Sequence, residues 1–202
     1  MQIAILSGSH RVESQSAKVA RYIADVVREL DPAAEAVVHD LGADPLPLWD
    51  TDVWSAPEKH EPRWGALGRA LEACDAVVVV APEWNGMVPP ALKNVFLFVG
   101  HRLAHKPGLI VAVSSSRGGA YPVVELRASS YKNTRVCYIP EHVIVRDVNH
   151  VLNPGEPASR DDVYLRGRVR YAVNLLLVYA EALTRVRDTR GAIDHERYPN
   201  GM

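Results

Sequence analysis

The chain has 202 residues, 48% of them hydrophobic and 23% charged, a balance that suits one folded domain with a full core and would leave two domains cramped. Its 23 Lys and Arg nearly cancel its 24 Asp and Glu, for a net charge of -1, and no basic stripe stands ready to neutralise successive phosphates, which argues against nucleic acid as a partner. No apolar run approaches the roughly 20 residues of a membrane span. The only cysteines, Cys74 and Cys137, lie far apart outside any C-x-x-C spacing, as expected of buried reduced thiols in a cytoplasmic chain without a disulfide frame or a zinc site.

In chain order, the N-terminus enters the apolar run Ile3–Leu6 with no basic region or cleavage site before it, so Gln2–Leu6 is expected to be a first strand. Ala20, Ile23, Val27 and Leu30 then recur at helical spacing. Ala36–Asp40 is a second strand. The stretch Ala43–Pro62 is rich in Pro and Asp and carries Trp49 and Trp54, with Trp64 just beyond. It is expected to be a long loop, and its tryptophans point to a packed flap or a subunit contact rather than a linker. Leu67 and Leu71 mark a helix, Ala76–Ala81 a third strand, and Leu92–Phe98 a helix apolar nearly all round. His101 and His105 lie four apart but have no adjoining carboxylate motif, and Lys106-Pro107-Gly108 ends the segment, so a solvent-facing helix end fits them better than a metal site. Leu109–Ser114 and Val143–Asp147 are the fourth and fifth strands, and a second loop, Val148–Ser159, is rich in Asn, Pro and Gly. A closing helix, capped by Asp161-Asp162, turns Leu165, Val169, Ala172, Leu176, Ala180 and Leu183 to one face. Residues 1–187 read as one domain and residues 188–202 as a polar tail.

Short strands that are apolar on both faces and alternate with helices imply a parallel sheet covered on both sides. With five strands the expected architecture is a three-layer α/β sandwich of flavodoxin-like order 2-1-3-4-5, with ligands beyond the carboxyl ends of the strands. Right-handed crossovers place the loops after Leu6, Ala81 and Ser114 together at that end.

The first of these loops, Ser7–Ser16, leads into a helix whose N-terminus offers unpaired N–H groups and the positive end of its dipole. Ser9, Ser14 and Ser16 add hydroxyl donors, Gln15 an amide and Arg11 a charge, a set suited to a phosphomonoester. The pattern is neither G-x-G-x-x-G nor a P-loop. The same residues also fit a plain helix cap with a solvated arginine. The second loop, Pro82-Glu83-Trp84-Asn85-Gly86, leaves an apolar strand through an aromatic residue, makes an Asn-Gly turn and enters a helix through prolines. It suits a flat ring with polar edges, although an ordinary β-to-α connection needs the same turn residues. The third, Ser114–Tyr121, uses Gly118 and Gly119 to bring backbone N–H groups close to a flat ligand, with Ser115 and Ser116 as donors or simply as a cap. Neither serine-rich loop has the G-x-S-x-G elbow of a serine hydrolase.

These motifs resemble those of the NADPH-dependent FMN reductase family. Gly8-Ser9, Arg11 and Ser14 match its G-S-x-R-x-x-S loop; Pro82-Glu83, Asn85, Pro89 and Leu92-Lys93-Asn94 match P-E-Y-N-x-S-x-P-x-x-L-K-N; Gly118-Gly119 and Leu126-Arg127 match the third segment. The resemblance implies that Ser9, Arg11, Ser14, Gln15 and Ser16 hold the phosphate of FMN, that Pro82, Glu83, Trp84, Asn85 and Gly86 line the isoalloxazine, and that Ser115, Ser116, Gly118 and Gly119 close its other polar edge. It also implies NAD(P)H as co-substrate and a homodimer or homotetramer. Trp84 and Met87 replace the family's Tyr and Ser, and Val95-Phe96-Leu97-Phe98 stands where many members carry an Asp-Trp pair, which places the usual dimer contacts in question. The expected activity is FMN-dependent reduction of a small acceptor (quinone, azo compound, metal oxyanion or free flavin), with the chemistry on FMN and no protein nucleophile or metal. Amides near Asn85-Gly86 and Gly118-Gly119 would stabilise the charge that reduction adds. The alternative is a flavodoxin-type electron carrier, which would ordinarily be strongly acidic for docking.

Overall fold

A computed structural model describes residues 1–189, 194 and 196–201. Strands β1 (Gln2–Ser7), β2 (Glu35–Asp40), β3 (Ala76–Pro82), β4 (Pro107–Val113) and β5 (Cys137–Val145) form one parallel sheet in the order β2-β1-β3-β4-β5. The connections carry α1 (Gln15–Leu30), the single turn α2 (Asp52–Ser55), α3 (Glu61–Ala73), α4 (Pro90–Phe98) and α5 (Ala120–Ser129), and α6 (Arg160–Asp188) closes the chain.

Alternation along each strand divides the core in two. Ile3, Ile5, Val78, Val80, Leu109 and Val111 face α1 and α6, where Val19, Ile23, Val169, Val173 and Leu176 meet them. Ala4, Leu6, Val77, Val79, Ile110 and Ala112 face the other way, onto Leu67 and Leu71 of α3, Leu92 and Val95 of α4 and Leu126 of α5. Every residue of β3 and β4 is buried. At about 1.5–3 kcal/mol for each large apolar side chain removed from water, these two layers outweigh any surface ion pair, which contributes about 0–1 kcal/mol.

Several details depart from the sequence reading. Strand β5 begins at Cys137, well before Val143; Pro140 and Glu141 interrupt its apolar pattern where the pairing register skips between Gly108 and Ile110, which hides its first half in the sequence. Cys137 opens this edge strand exposed, not buried as expected; Cys74 is buried, and both are free thiols. Burial raises the thiol pKa of Cys74. The expected loop over 43–62 contains α2 and a 3-10 turn at Pro57–Lys59, and α3 already starts at Glu61 with Pro62 in its first turn. Of its tryptophans, Trp64 is buried in α3, while Trp54 is 75% exposed and meets Trp49 edge-to-face at 5.0 Å. Asn94 on α4 pins this flap, accepting from Trp49 N and donating to Pro47 O, both at 2.8 Å.

Residues 101–105 form turns rather than a helix end. Lys106 beyond them is buried and donates to Leu71 O and Glu72 O at 2.9 and 2.5 Å, closing the last turn of α3. The cap of α6 is Ser159, whose hydroxyl accepts from Asp162 N at 3.1 Å, not the Asp161-Asp162 pair. Helix α6 runs one residue past the expected boundary at 187. Of the expected tail, residues 190–193, 195 and 202 lie outside the described residues, whereas Gly201 N donates to Asn133 Oδ1 at 3.2 Å.

Candidate functional site

Strand β1 ends against β3, and the chain turns out of the sheet at Gly8, whose N–H donates to Val80 O at 2.8 Å. A Cβ at Gly8 would lie 2.5 Å from Leu92 Cδ2 and 2.8 Å from Val80 O, so close approach rather than an unusual dihedral selects glycine here. Ser9 Oγ accepts from Arg11 N at 3.2 Å. Ser14 is the N-cap of α1, its hydroxyl accepting from Ala17 N at 3.1 Å and its carbonyl from Lys18 N at 3.2 Å. Helix geometry leaves the Gln15 and Ser16 amides directed out of the helix end. Ser9, Ser14 and Ser16 are all buried, and Arg11 is exposed.

The second loop leaves β3 at Pro82, where Glu83 N donates to Val113 O at 2.9 Å. Trp84 and Met87 exchange backbone hydrogen bonds at 3.0 and 2.9 Å around Asn85 and Gly86, whose φ values of 51° and 71° define a primed two-residue turn. The Trp84 ring meets His10 of the first loop edge-to-face at 4.4 Å.

Glu83 joins the second loop to the third. Its Oε2 accepts from Gly119 N at 2.6 Å, and a Cβ at Gly118 would lie 2.5 Å from its Oε1. Gly119, at φ 104°, would drive a Cβ to 2.4 Å from Ile144 Cγ2. The Gly119 amide, expected to face a ligand, is therefore engaged by Glu83 within the protein.

These loops converge on a cavity of about 350 Å³, within the size range of small-molecule sites. Ser9, Arg11, Ser14, Gln15 and Ser16 line one end, and Pro82, Glu83, Trp84 and Ser115 line the other. Asn85 and Gly86 form the exposed tip of the turn outside this lining, and Ser116, Gly118 and Gly119 also stand outside it. Sequence reasoning missed Glu13, Val113, Val148 and Asn149, which complete the walls. Val148 and Asn149 follow the carboxyl end of β5, which the sequence places within two residues, so the rule that located the first three loops reaches this one as well once it is extended to the edge strand.

The first loop pairs donors with an arginine at a helix N-terminus, chemistry that fits a phosphate; the apolar Pro82, Val113 and Val148 with the flat Trp84 fit a ring. Among the described residues, a second cavity of comparable size, about 320 Å³, lies between α4 and α5. Its lining joins Val88, Phe96, Leu97 and Leu126 to Lys93, Glu125, Ser129, Ser130, Lys132, Asn133 and Thr134, and it includes no residue of the three loops that form the first cavity apart from the helix and turn residues that follow them.

The fourth wall is held from both sides. Lys18 Nζ on α1 donates to Val148 O, Val151 O and Asn153 Oδ1 at 2.5, 2.9 and 2.8 Å. Burial lowers the pKa of this ammonium, and the Asp162 charge opposes that shift. Asp162 accepts from Leu152 N at 2.9 Å and Ala158 N at 3.0 Å, with Arg166 Nε at 3.3 Å. Burial alone would raise the Asp162 carboxyl, but these amides and the Arg166 guanidinium outweigh it and hold the pKa below the usual aspartate value.

A 2-1-3-4-5 sheet with a helix N-terminus and a flat apolar wall meeting in a cavity beyond its strands defines a flavodoxin-like class of protein. A family model described as NADPH-dependent FMN reductase matches residues 1–150, and the chain belongs to that family. It is similar to an NAD(P)H-dependent FMN reductase of Saccharomyces cerevisiae, 27% identical over 58% of this chain and 68% of that protein. A quinone reductase of Pseudomonas putida is 33% identical over 59% of this chain, the match spanning only 63% of that enzyme. An NADPH azoreductase of a Bacillus species is 25% identical over 72% and 76%. The flavoenzyme FerB of Paracoccus denitrificans, an NAD(P)H:(acceptor) oxidoreductase, superposes with a TM-score of 0.65 at 22% identity over 88% of this chain and 98% of its own. An NADH:FMN oxidoreductase in its apo form gives 0.66 at 18% identity, covering 88% of each chain. Those two likenesses are of fold.

Proposed function

We propose that this chain is an FMN-dependent NAD(P)H oxidoreductase that reduces a small acceptor: a quinone, an azo compound, a metal oxyanion or free flavin. The observation that carries the reading is the convergence of the phosphate-type loop and the Trp84 turn on one cavity at the carboxyl ends of the strands. Family membership and the relatives' names support it.

Ser9, Arg11, Ser14, Gln15 and Ser16 would hold the phosphate through hydroxyl, amide and guanidinium donors. Pro82, Glu83, Trp84, Asn85 and Gly86 would border the ring, and Ser115, Ser116, Gly118 and Gly119 its far polar edge. Of that last group Gly119 acts indirectly, since its N–H donates to Glu83. When bound, FMN supplies the hydride and electron transfer, so the protein's part is to bind, orient and exclude water. Residues 1–187 would act as one cytoplasmic unit with a polar tail, working as a homodimer or homotetramer. Among the described residues no helix is long and apolar enough to cross a membrane.

The experiment is direct. Purified protein should be yellow with FMN absorbance, or become so on adding FMN, and should oxidise NAD(P)H with a small acceptor and no partner protein, in ping-pong fashion. A colourless protein that neither binds FMN nor oxidises NAD(P)H overturns the reading. Binding of FMN with turnover only in the presence of a partner protein would favour an electron carrier, which the near-neutral charge of -1 does not suggest.

A further inference from the structure

The segment 148–159 has neither helix nor strand, yet Val148, Val151 and Leu152 are buried in the core. Its backbone turns through left-handed conformations at Leu152 (φ 53°) and Gly155 (φ 88°), with Asp147 (φ 49°) just before it. Of these, Leu152 is a bulky residue for which that region is unfavourable, and contacts from outside the segment, such as the bond from its amide to Asp162, hold it there.

Lys18 adds such contacts at the cavity. Its three N–H donors meet three oxygens of the segment, Val148 O, Val151 O and Asn153 Oδ1. Asn153 Nδ2 in turn donates to Asn149 O at 3.1 Å, bracing the second lining residue. Lys18 also sits one helical turn after Ser14, its amide bonded to the Ser14 carbonyl. One side chain thus ties the helix end that lines the cavity to Val148 directly and, through Asn153, to Asn149 on another wall.

We propose that Lys18 is a positioning residue for the cofactor cavity, holding Val148 and Asn149 in place as its fourth wall relative to the N-terminus of α1. This rests on the reading of that cavity as the FMN site. The matched family region ends at residue 150, so most of the clasp lies beyond it. An arginine does not replace this lysine, because a planar fork cannot direct donors to three converging oxygens as an ammonium does.

The test compares K18M with K106M, which removes another lysine that donates to two backbone carbonyls, at the opposite end of the sheet. Apoprotein is titrated with FMN by flavin fluorescence, visible circular dichroism of the bound flavin is recorded, and melting temperatures are measured. Both variants are expected to melt below wild type. K18M alone should raise the Kd for FMN at least about tenfold and alter the flavin dichroism, since a lost wall changes the ring's surroundings, while K106M stays within about twofold of wild type. N153A, which removes one of the three acceptors without touching α1, should weaken FMN binding by about two- to fivefold and serves if K18M does not fold. FMN binding and dichroism unchanged in K18M, or in N153A where K18M fails to fold, overturn the proposal. So does an equal loss in K106M, which would make the effect one of general stability. A wild type that binds no FMN overturns the assignment of the cavity, and the role of Lys18 with it, before any variant is compared.

Discussion

At Ser14 one residue serves two purposes that can be separated. Its hydroxyl caps α1, and it lines the cavity where a phosphate would sit. Ser14→Ala should lose about 1 kcal/mol of stability in urea unfolding and weaken FMN binding. Ser14→Asp is the sharper variant, because aspartate caps a helix about as well as serine while setting a negative charge against the phosphate. Stability within about 0.5 kcal/mol of wild type with FMN affinity below that of Ser14→Ala is the expected result. Wild-type affinity in Ser14→Asp would remove Ser14 from the phosphate site. Glu83 is also two-sided. Its motif position suggests a ligand contact and it does line the cavity, but its carboxylate also holds the Gly119 amide and excludes a side chain at Gly118, so it sets the spacing of two loops as well. Spacing of that kind is invisible in a motif because it depends on a residue thirty-six positions away.

Among the elements, the strands were legible because β3 and β4 are buried on both faces and carry unbroken apolar runs. Strand β5 was legible only in its second half, since an edge strand tolerates Pro140 and a shifted register that central pairing would reject. The segment 148–159 reads in the sequence only as a long loop rich in Asn, Pro and Gly, and its anchors are not recognisable as its partners there: Asp162 and Arg166 lie in α6, which follows it, whereas Lys18 lies in α1, about 130 residues earlier. Its acid response is predictable. The Asp162 pKa is lowered in the folded protein, so its contribution is fully present above the ordinary aspartate value of 3.8 and is lost as pH falls through the depressed folded value. Wild type should therefore melt well above Asp162→Asn at neutral pH, with the gap closing below about pH 4. A gap that persists unchanged into that range would show that the carboxylate charge is not what holds the clasp.

For the whole molecule, the outer face of α4 and α5 leaves Leu97, Tyr121 and Val124 more than 60% exposed, beside the apolar groove between those helices. We place the proposed homodimer on this face, since exposed apolar side chains beside an apolar groove are what an interface buries. Sedimentation of wild type should give a dimer and Leu97→Glu a monomer that remains folded. A wild type that is monomeric at assay concentrations would refute the dimer, and a Leu97→Glu dimer would place it on another face.

The order of elements, the parallel sheet and the three ligand-side loops followed from the sequence alone, because apolar periodicity and turn chemistry are local properties of the chain. Family membership was equally legible, in the run from Pro82 to Asn94. Tertiary structure alone decided that Gly119 serves Glu83, that Asn94 pins the tryptophan flap, and that Lys18 builds a fourth wall from residues 148–153. Each of those is a hydrogen bond between residues far apart in the chain, whose meeting is set by how the helices pack on the sheet and not by any pattern along it.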